Sequence, residues 1–233
     1  MKKLRPAFFY FSAGERWLWV CSVLLILASY LLFPQEGVMT LCASLIGVTA
    51  LILNARGNPA GQLLMIAFSV LYGVISYSFS YYGEMITYLG MSGPMAAIAL
   101  AEWLRHPSRG NHAEVEVGRL RRREPLVLAL LTAAVTAAFF FILRALGTAN
   151  LLPSTVSVAT SFLAAYLTFR RSPYFALAYA LNDVVLLALW FLAAAEDLSY
   201  LSVLVCFAVF LINDLYGFVS WRRMQARQAA ADA

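Results

Sequence analysis

"ALAYALNDVVLLALW" (residues 176–190) is hydrocarbon almost throughout, yet Asn182 and Asp183 stand side by side at its centre. A helix needs about 20 mostly apolar residues to cross a bilayer core, and the run around this stretch, residues 173–194, supplies them. An acid at its middle has about 15 Å of hydrocarbon on either side. There it costs roughly 2.5–3.5 kcal/mol unless it meets a partner or a wet cavity. Asn182 adds an amide that must also be satisfied. The last apolar run repeats the arrangement: in "FLINDLYGFVSW" (residues 210–221), six residues separate Asp214 from Trp221, as six separate Asp183 from Trp190.

Seven further apolar runs of similar length flank this one: residues 17–33, 37–53, 61–78, 84–103, 126–146, 154–169 and 198–221. Of the 233 residues, 62% are hydrophobic and only 12% are charged, about half the charge of a soluble domain. Barrel strands would alternate over about ten residues, and no such alternation occurs. The expectation is an all-α polytopic membrane protein of about eight hydrophobic segments. The first run follows Lys2, Lys3, Arg5 and Arg16 but ends in "LLFPQEG", without a small-residue cleavage site. It therefore reads as a retained helix and not as a signal peptide.

Loop charges set the orientation, because Lys and Arg accumulate on the cytoplasmic side. The N-terminus, Arg56, the loop "RHPSRGNHAEVEVGRLRRRE" (residues 105–124), Arg170, Arg171, Arg222 and Arg223 fall on one side. Glu36, Glu84, Glu196 and Asp197 fall on the other, with Arg144 the single exception. Both termini are expected in the cytoplasm. The net charge of +5 is then a topology signal and no sign of nucleic-acid binding. Cys21, Cys42 and Cys206 lie in apolar runs without paired spacing, and His106 and His112 lie in the basic loop. No metal site, cofactor or disulfide framework is expected. An enzyme is not expected either, because no nucleophile–base or clustered-carboxylate pattern appears.

The polar stretch at residues 105–124 cuts the chain in two, and the halves resemble each other faintly. "LILNARGNP" (residues 51–59) and "YLTFRRSP" (residues 166–173) each end an apolar helix in Arg and then Pro. Pro suits the first turn of a following helix. The third helices close on "AEWLRH" and "VSWRRM". The plan is a 3+1+3 helix repeat with an additional N-terminal helix. It divides into residues 1–36 (basic N-terminus and extra helix), 37–104 (first triplet), 105–147 (basic loop and linker helix), 148–222 (second triplet) and 223–233 (tail). Like-oriented repeats place a transport site where they meet.

Candidate site residues follow from polarity inside the apolar runs. Asn182 and Asp183 are either an interhelical hydrogen-bond clamp or the lining of a solute path, and Trp190 lies two turns along the same stripe. Asn213 and Asp214 lie nearer an interface. Trp221, beside Arg222, reads first as an interfacial belt residue. In the first triplet, Asn58 is a loop or cap residue or a ligand, Gln62 lies deeper, and Tyr72 and Tyr88 can face a cavity. Gly93-Pro94 interrupts a helix, since Pro lacks an N–H and clashes with the preceding turn. A kink beside a cavity suits gating.

Taken together, "RGNPAGQ" (56–62), "YYGEMITYLGM" (81–91), "STVSVATSFLAAYLTFRRSPYFALAYALND" (154–183) and "FLINDLYGFVSWRRM" (210–224) resemble the PnuC family of vitamin transporters from about residue 37 onward. The resemblance implies a fold related to the SWEET sugar transporters, in the inner membrane of a bacterium. It implies facilitated diffusion of a B-vitamin or nucleoside, most often nicotinamide riboside, trapped by cytosolic phosphorylation. Thiamine, riboflavin and deoxynucleosides are the alternatives, and a proton-coupled carrier is the rival mechanism. Aromatic rings would sandwich the base and amides would hold the ribose, which points to Gln62, Tyr88, Asn182, Asp183, Trp190 and Asn213. The partners implied are a small-molecule substrate and the lipid bilayer; a homo-oligomer such as a trimer stays open. One departure stands out: "LGMSGPMAAIALAEW" (89–103) keeps only Trp103, where better-known members are rich in tryptophan.

Overall fold

The computed structural model describes residues 11–32, 37–78, 81–109, 111, 113–148 and 150–231; Lys2, Lys3, Arg5, Glu36 and His112 lie outside them. The helices in chain order are α1 (Ala13–Leu32), α2 (Val38–Ala55), α3 (Ala60–Ser78), α4 (Tyr82–Thr87), α5 (Gly93–Arg105), α6 (Glu124–Ala145), α7 (Leu151–Phe169), α8 (Tyr174–Glu196) and α9 (Leu201–Ala231). Seven of these are long and apolar enough to cross a membrane. The segment at 84–103 is broken instead, with a π turn at Tyr88–Ser92 joining α4 to α5. Among the described residues no strand forms, beyond an isolated bridge between Pro107 and Val115.

The break at α4–α5 has a local cause. Pro94 sits in the first turn of α5, where its ring disturbs the preceding turn and its missing N–H removes a rung. The Gly93 N–H donates five residues back, to the Tyr88 carbonyl, which is the π-type bond. The irregularity expected at Gly93-Pro94 therefore falls one turn earlier, and it carries Tyr88 into the interior. A Cβ on Gly93 would lie 3.4 Å from the Ser69 Cβ, so glycine lets α5 press closely on α3.

Six helices close into a ring. α2 packs on α3, α3 on α5, α5 on α7, α7 on α8, α8 on α9, and α9 returns to α2. α1 lies outside, against α2 and α9, and α6 lies outside against α7. Only Leu128 and Leu143 of α6 are buried; the rest of this helix offers apolar surface suited to lipid.

At one end, here called the basic end, the two triplets turn alike. After α2, Gly57 N–H donates to Asn54 O (2.9 Å) and Asn58 N–H to Leu53 O (3.0 Å); after α7, Arg171 N–H donates to Thr168 O and Ser172 N–H to Leu167 O (both 3.0 Å). These paired bonds satisfy the last helical carbonyls in a Schellman motif, whose C′ residue is left-handed. Gly57 has φ +64° and Arg171 φ +55°. Pro59 and Pro173 then open the next helices. The segment between α5 and α6 spans both corners: Val115 N–H donates to Gly57 O and Gly118 N–H to Arg171 O, each at 2.9 Å. α9 continues through the tail expected at 223–233 as far as Ala231. Its Gln228 binds the same strap, accepting from Val117 N–H and donating to Val115 O.

Candidate functional site

The centre of the ring holds a cavity of about 30 Å³ to which every ring helix contributes, among them Leu51 of α2, Phe68 of α3, Ala96 of α5, Ser161 of α7, Asp183 of α8 and Asp214 of α9. That is room for one or two waters, an order of magnitude below a small-molecule pocket. A larger concavity, about 930 Å³, lies outside the ring between α6 and α7. Its lining is Leu, Ala, Phe and Thr, with no charged group, so it reads as lipid-facing surface.

The acids come from adjacent helices. Asp183 of α8 and Asp214 of α9 face each other within hydrogen-bonding contact, buried to 3% and 5% exposure. Asp183 Oδ2 has no partner in the protein. No Lys or Arg lines the cavity. Asn182 is held by three hydroxyls of α7: its Oδ1 accepts from Thr160 (2.7 Å), Ser161 (3.0 Å) and Ser157 (3.4 Å). With that oxygen committed, its NH2 group is left for the cavity. These three donors, spaced i, i+3, i+4, form one helical face; the stripe is visible in "STVSVATS" and was not among the expected site residues.

Aromatic side chains close the ring at both ends. At the far end, Trp190 Nε1–H donates to the Tyr72 hydroxyl at 2.9 Å. Tyr81 and Tyr200 pack on the same indole, with ring centroids 5.0 and 5.6 Å away. Tyr72 in turn packs on Tyr88 at 4.4 Å. At the basic end, Trp103 and Trp221 meet at 5.3 Å and Phe175 wedges against Trp221 at 4.9 Å. Trp103 Nε1–H donates to Thr168 O (2.9 Å) and Trp221 Nε1–H to Asn54 O (2.7 Å). Each indole thus reaches across to the last turn of a helix in the other triplet.

Several expected positions fall elsewhere. Trp221 is no belt residue: it is fully buried, because α9 runs ten residues further and Trp221 is not at the helix end. Gln62 lies at the basic end, where its Nε2 donates to Asn54 Oδ1 (2.9 Å); Gly61, with no side chain, lets α3 approach Asn54 closely. Asn58 accepts from Ala60 N–H (2.9 Å) at the start of α3, the arrangement of a cap. Asn213 turns away from Asp214 toward α1, donating to Ser22 Oγ (3.0 Å), since consecutive residues on a helix point in different directions. Trp190 does not line the cavity beside Asp183; it forms the lid above it. Glu84, expected in an exposed acidic loop, is 2% exposed. α4 carries it inward, where Gly83 lies close enough to Leu143 and Thr148 that a Cβ would meet them at 3.0 and 2.9 Å. At the basic end, acids in the first turns of α1 and α6 are paired: Arg56 with Glu15 (3.5 Å) and Arg170 with Glu124. The hydrogen bond to Glu124 raises the Arg170 guanidinium above its ordinary pKa.

Known proteins share both this sequence and this architecture. The family model described as "Nicotinamide mononucleotide transporter" matches residues 37–223. A protein of Neisseria mucosa named "Nicotinamide riboside transporter PnuC" is 24% identical over 215 residues, covering 91% of this chain and 82% of that protein. The structure described as the "Crystal structure of the Vitamin B3 transporter PnuC" superposes with a TM-score of 0.82 at 22% identity, covering 94% of each chain. The six-helix ring is therefore a shared fold, and on the family match the chain belongs to the nicotinamide mononucleotide transporter family of membrane transporters.

Proposed function

We propose that this transporter carries nicotinamide riboside, a precursor of NAD, by facilitated diffusion through the ring, with phosphorylation in the cytosol trapping it. The observation that carries this reading is the Asp183–Asp214 pair facing a cavity with no basic lining residue. A pyridinium ring brings one positive charge, which two buried acids complement. A mononucleotide adds a phosphate of about −1.5 to −2 charge, which the same acids repel; the riboside is thus the better fit. Asn182 offers its amide to the ribose, and Tyr88 and Tyr72 present aromatic surface. Trp190 would meet the ring on entry through a cation–π attraction of about 0.5–2 kcal/mol. Gln62, Asn58 and Asn213 hold the frame and do not touch the solute.

In this reading the triplets at 37–104 and 148–222 rock against each other, with the Gly93-Pro94 break as a hinge, while 1–36 and 105–147 flank them. The basic end faces the cytoplasm of a bacterial cell, as the positive-inside rule requires. The test is uptake of labelled nicotinamide riboside by liposomes containing the purified protein. Asp183→Asn is expected to lower uptake at low substrate about tenfold, equivalent to about 1.4 kcal/mol. Unlabelled riboside should compete and the mononucleotide should not, and collapsing a proton gradient should leave counterflow intact. Undiminished uptake in Asp183→Asn would sink the assignment, and stronger competition by thiamine, riboflavin or a deoxynucleoside would change the solute.

A further inference from the structure

Glu84 belongs to no part of the site derived above, yet it is the most unusual acid in the molecule. It lies at the far end of the ring, in α4, 2% exposed. The Ser157 hydroxyl lies beside it and also reaches Asn182 Oδ1, so its one proton serves either the acid or the amide. Glu84 Oε2 is buried without any partner. The Tyr72 and Tyr88 side chains both lie within its electrostatic reach, and Tyr88 is also within reach of Asp183. Tyr72 lines a second small hollow, about 10 Å³, with Thr40, Ser44 and Phe207, and it holds the Trp190 lid. Glu84 therefore sits behind the lid tyrosine, Tyr72, and behind Tyr88, which lines the central cavity, without lining that cavity itself.

A structural role explains this badly. An apolar side chain such as methionine would fill the same space without burying a carboxyl oxygen that has no donor. We propose that Glu84 is an outer recognition carboxylate: when the Tyr72–Trp190 lid parts, it takes the positive charge of an entering organic cation before that charge reaches Asp183 and Asp214. The incoming cation itself favours the ionised form of the acid. The solute class is a flat, singly charged ring, and charge selectivity is applied at the lid as well as in the centre. This rests on the reading that the chain carries nicotinamide riboside.

The experiment compares two solutes of nearly equal size, nicotinamide riboside and its uncharged dihydro form, in liposomes containing the full chain. In Glu84→Gln the KM for the charged riboside should rise about tenfold, as loss of one ion pair of about 1.4 kcal/mol predicts, while the KM for the dihydro form and the maximal rate for either change less than about twofold. The thermal midpoint of Glu84→Gln should stay level, since the amide has the same shape and is no worse partnered than the acid it replaces. Glu84→Asp, which keeps the charge, should keep the preference for the charged ring. Equal KM shifts for both solutes, no shift for either, or the same loss of preference in Glu84→Asp as in Glu84→Gln would overturn the proposal. A wild-type protein that does not carry the riboside would instead overturn the reading it rests on.

Discussion

The two ends of the ring are closed by different kinds of bond. At the basic end, the indoles of Trp103 and Trp221 donate to main-chain carbonyls, Thr168 O and Asn54 O, and the strap at 115–118 donates to Gly57 O and Arg171 O. At the far end, Trp190 donates to a side chain, the Tyr72 hydroxyl, and Tyr81 and Tyr200 pack ring against ring on the same indole. A hydroxyl follows its partner by rotating, whereas a helix-end carbonyl is fixed by its own backbone. Opening the far end asks for rotamer changes in a few aromatic side chains. Opening the basic end asks the two triplets to release each other's helix termini. The difference teaches that the basic end is the anchored one and the far end the compliant one.

The largest expected effect breaks this asymmetry directly. Trp221→Phe removes one of the two donors to Asn54 O and leaves a void, so a loss of about 2–4 kcal/mol is expected, and Trp103→Phe should cost about the same because Thr168 O is shared in the same way. Trp190 is equally buried and leaves the same void, but the Tyr72 hydroxyl can turn elsewhere, so Trp190→Phe should cost about 1 kcal/mol less than the other two. Thermal melts of the three purified variants check this. A melt in which Trp190→Phe proves the most damaging would reverse the comparison.

A smaller effect is expected at the corner itself. Gly57 holds a left-handed conformation, φ +64°, which costs an L-residue about 1–2 kcal/mol. A Cβ there would also meet Met224 Cε at 3.0 Å and Val115 Cγ1 at 3.4 Å. The flexible tip of Met224 can give way by a few tenths of an ångström, but the backbone strain cannot be relieved. Gly57→Ala should therefore lower the thermal midpoint by about 2–8 °C, without changing the far-end lid. If uptake falls while the melt is unchanged, the corner has a role in transport beyond holding the helices.

How much of this was legible in the sequence depended on whether a signal was periodic or relational. The helices were legible because runs such as 173–194 are long and almost uncharged. The corner pairing was legible because Arg and Pro recur after "LILN" and "YLTF". The depth of Asp183 was legible because it lies at the middle of its apolar run; Asp214, expected nearer an interface, lies beside it, buried to 5% exposure. That they face each other was not legible, since periodicity places a residue on its own helix and says nothing of the neighbouring helix. Trp221 was misread for want of the end of α9: "RRMQARQAAA" is polar enough to pass for a tail, yet it is helical. Glu84 was misread because proximity to "YYG" suggested a loop, whereas α4 begins at Tyr82. Asn213 was misread by analogy with Asn182, although α1 offers Ser22 to the one and α7 offers three hydroxyls to the other.

The smallest expected effect sharpens the comparison between the two corners. Arg171 occupies the same left-handed position as Gly57, φ +55°, and meets the same backbone strain. Its guanidinium offsets part of it by donating to Glu116 O (3.1 Å) and lying 3.6 Å from Glu102. Arg171→Gly would relieve about 1–2 kcal/mol of strain, lose a mostly buried ion pair (12% and 18% side-chain exposure) worth about 1 kcal/mol, and add about 0.5–1 kcal/mol of unfolded-state entropy. These terms nearly cancel, so a melt within about 1 kcal/mol of wild type is expected. Glycine would then be tolerated at the second corner, although a side chain is not tolerated at the first. The reason is compensation: a methyl at Gly57 would gain no polar contact to offset the strain, whereas Arg171 gains Glu102 of α5 and the Glu116 carbonyl of the strap. A large loss in Arg171→Gly would instead mean that the Glu102 and Glu116 contacts hold the strap in place, and that the basic end is anchored through charge more than through its indoles.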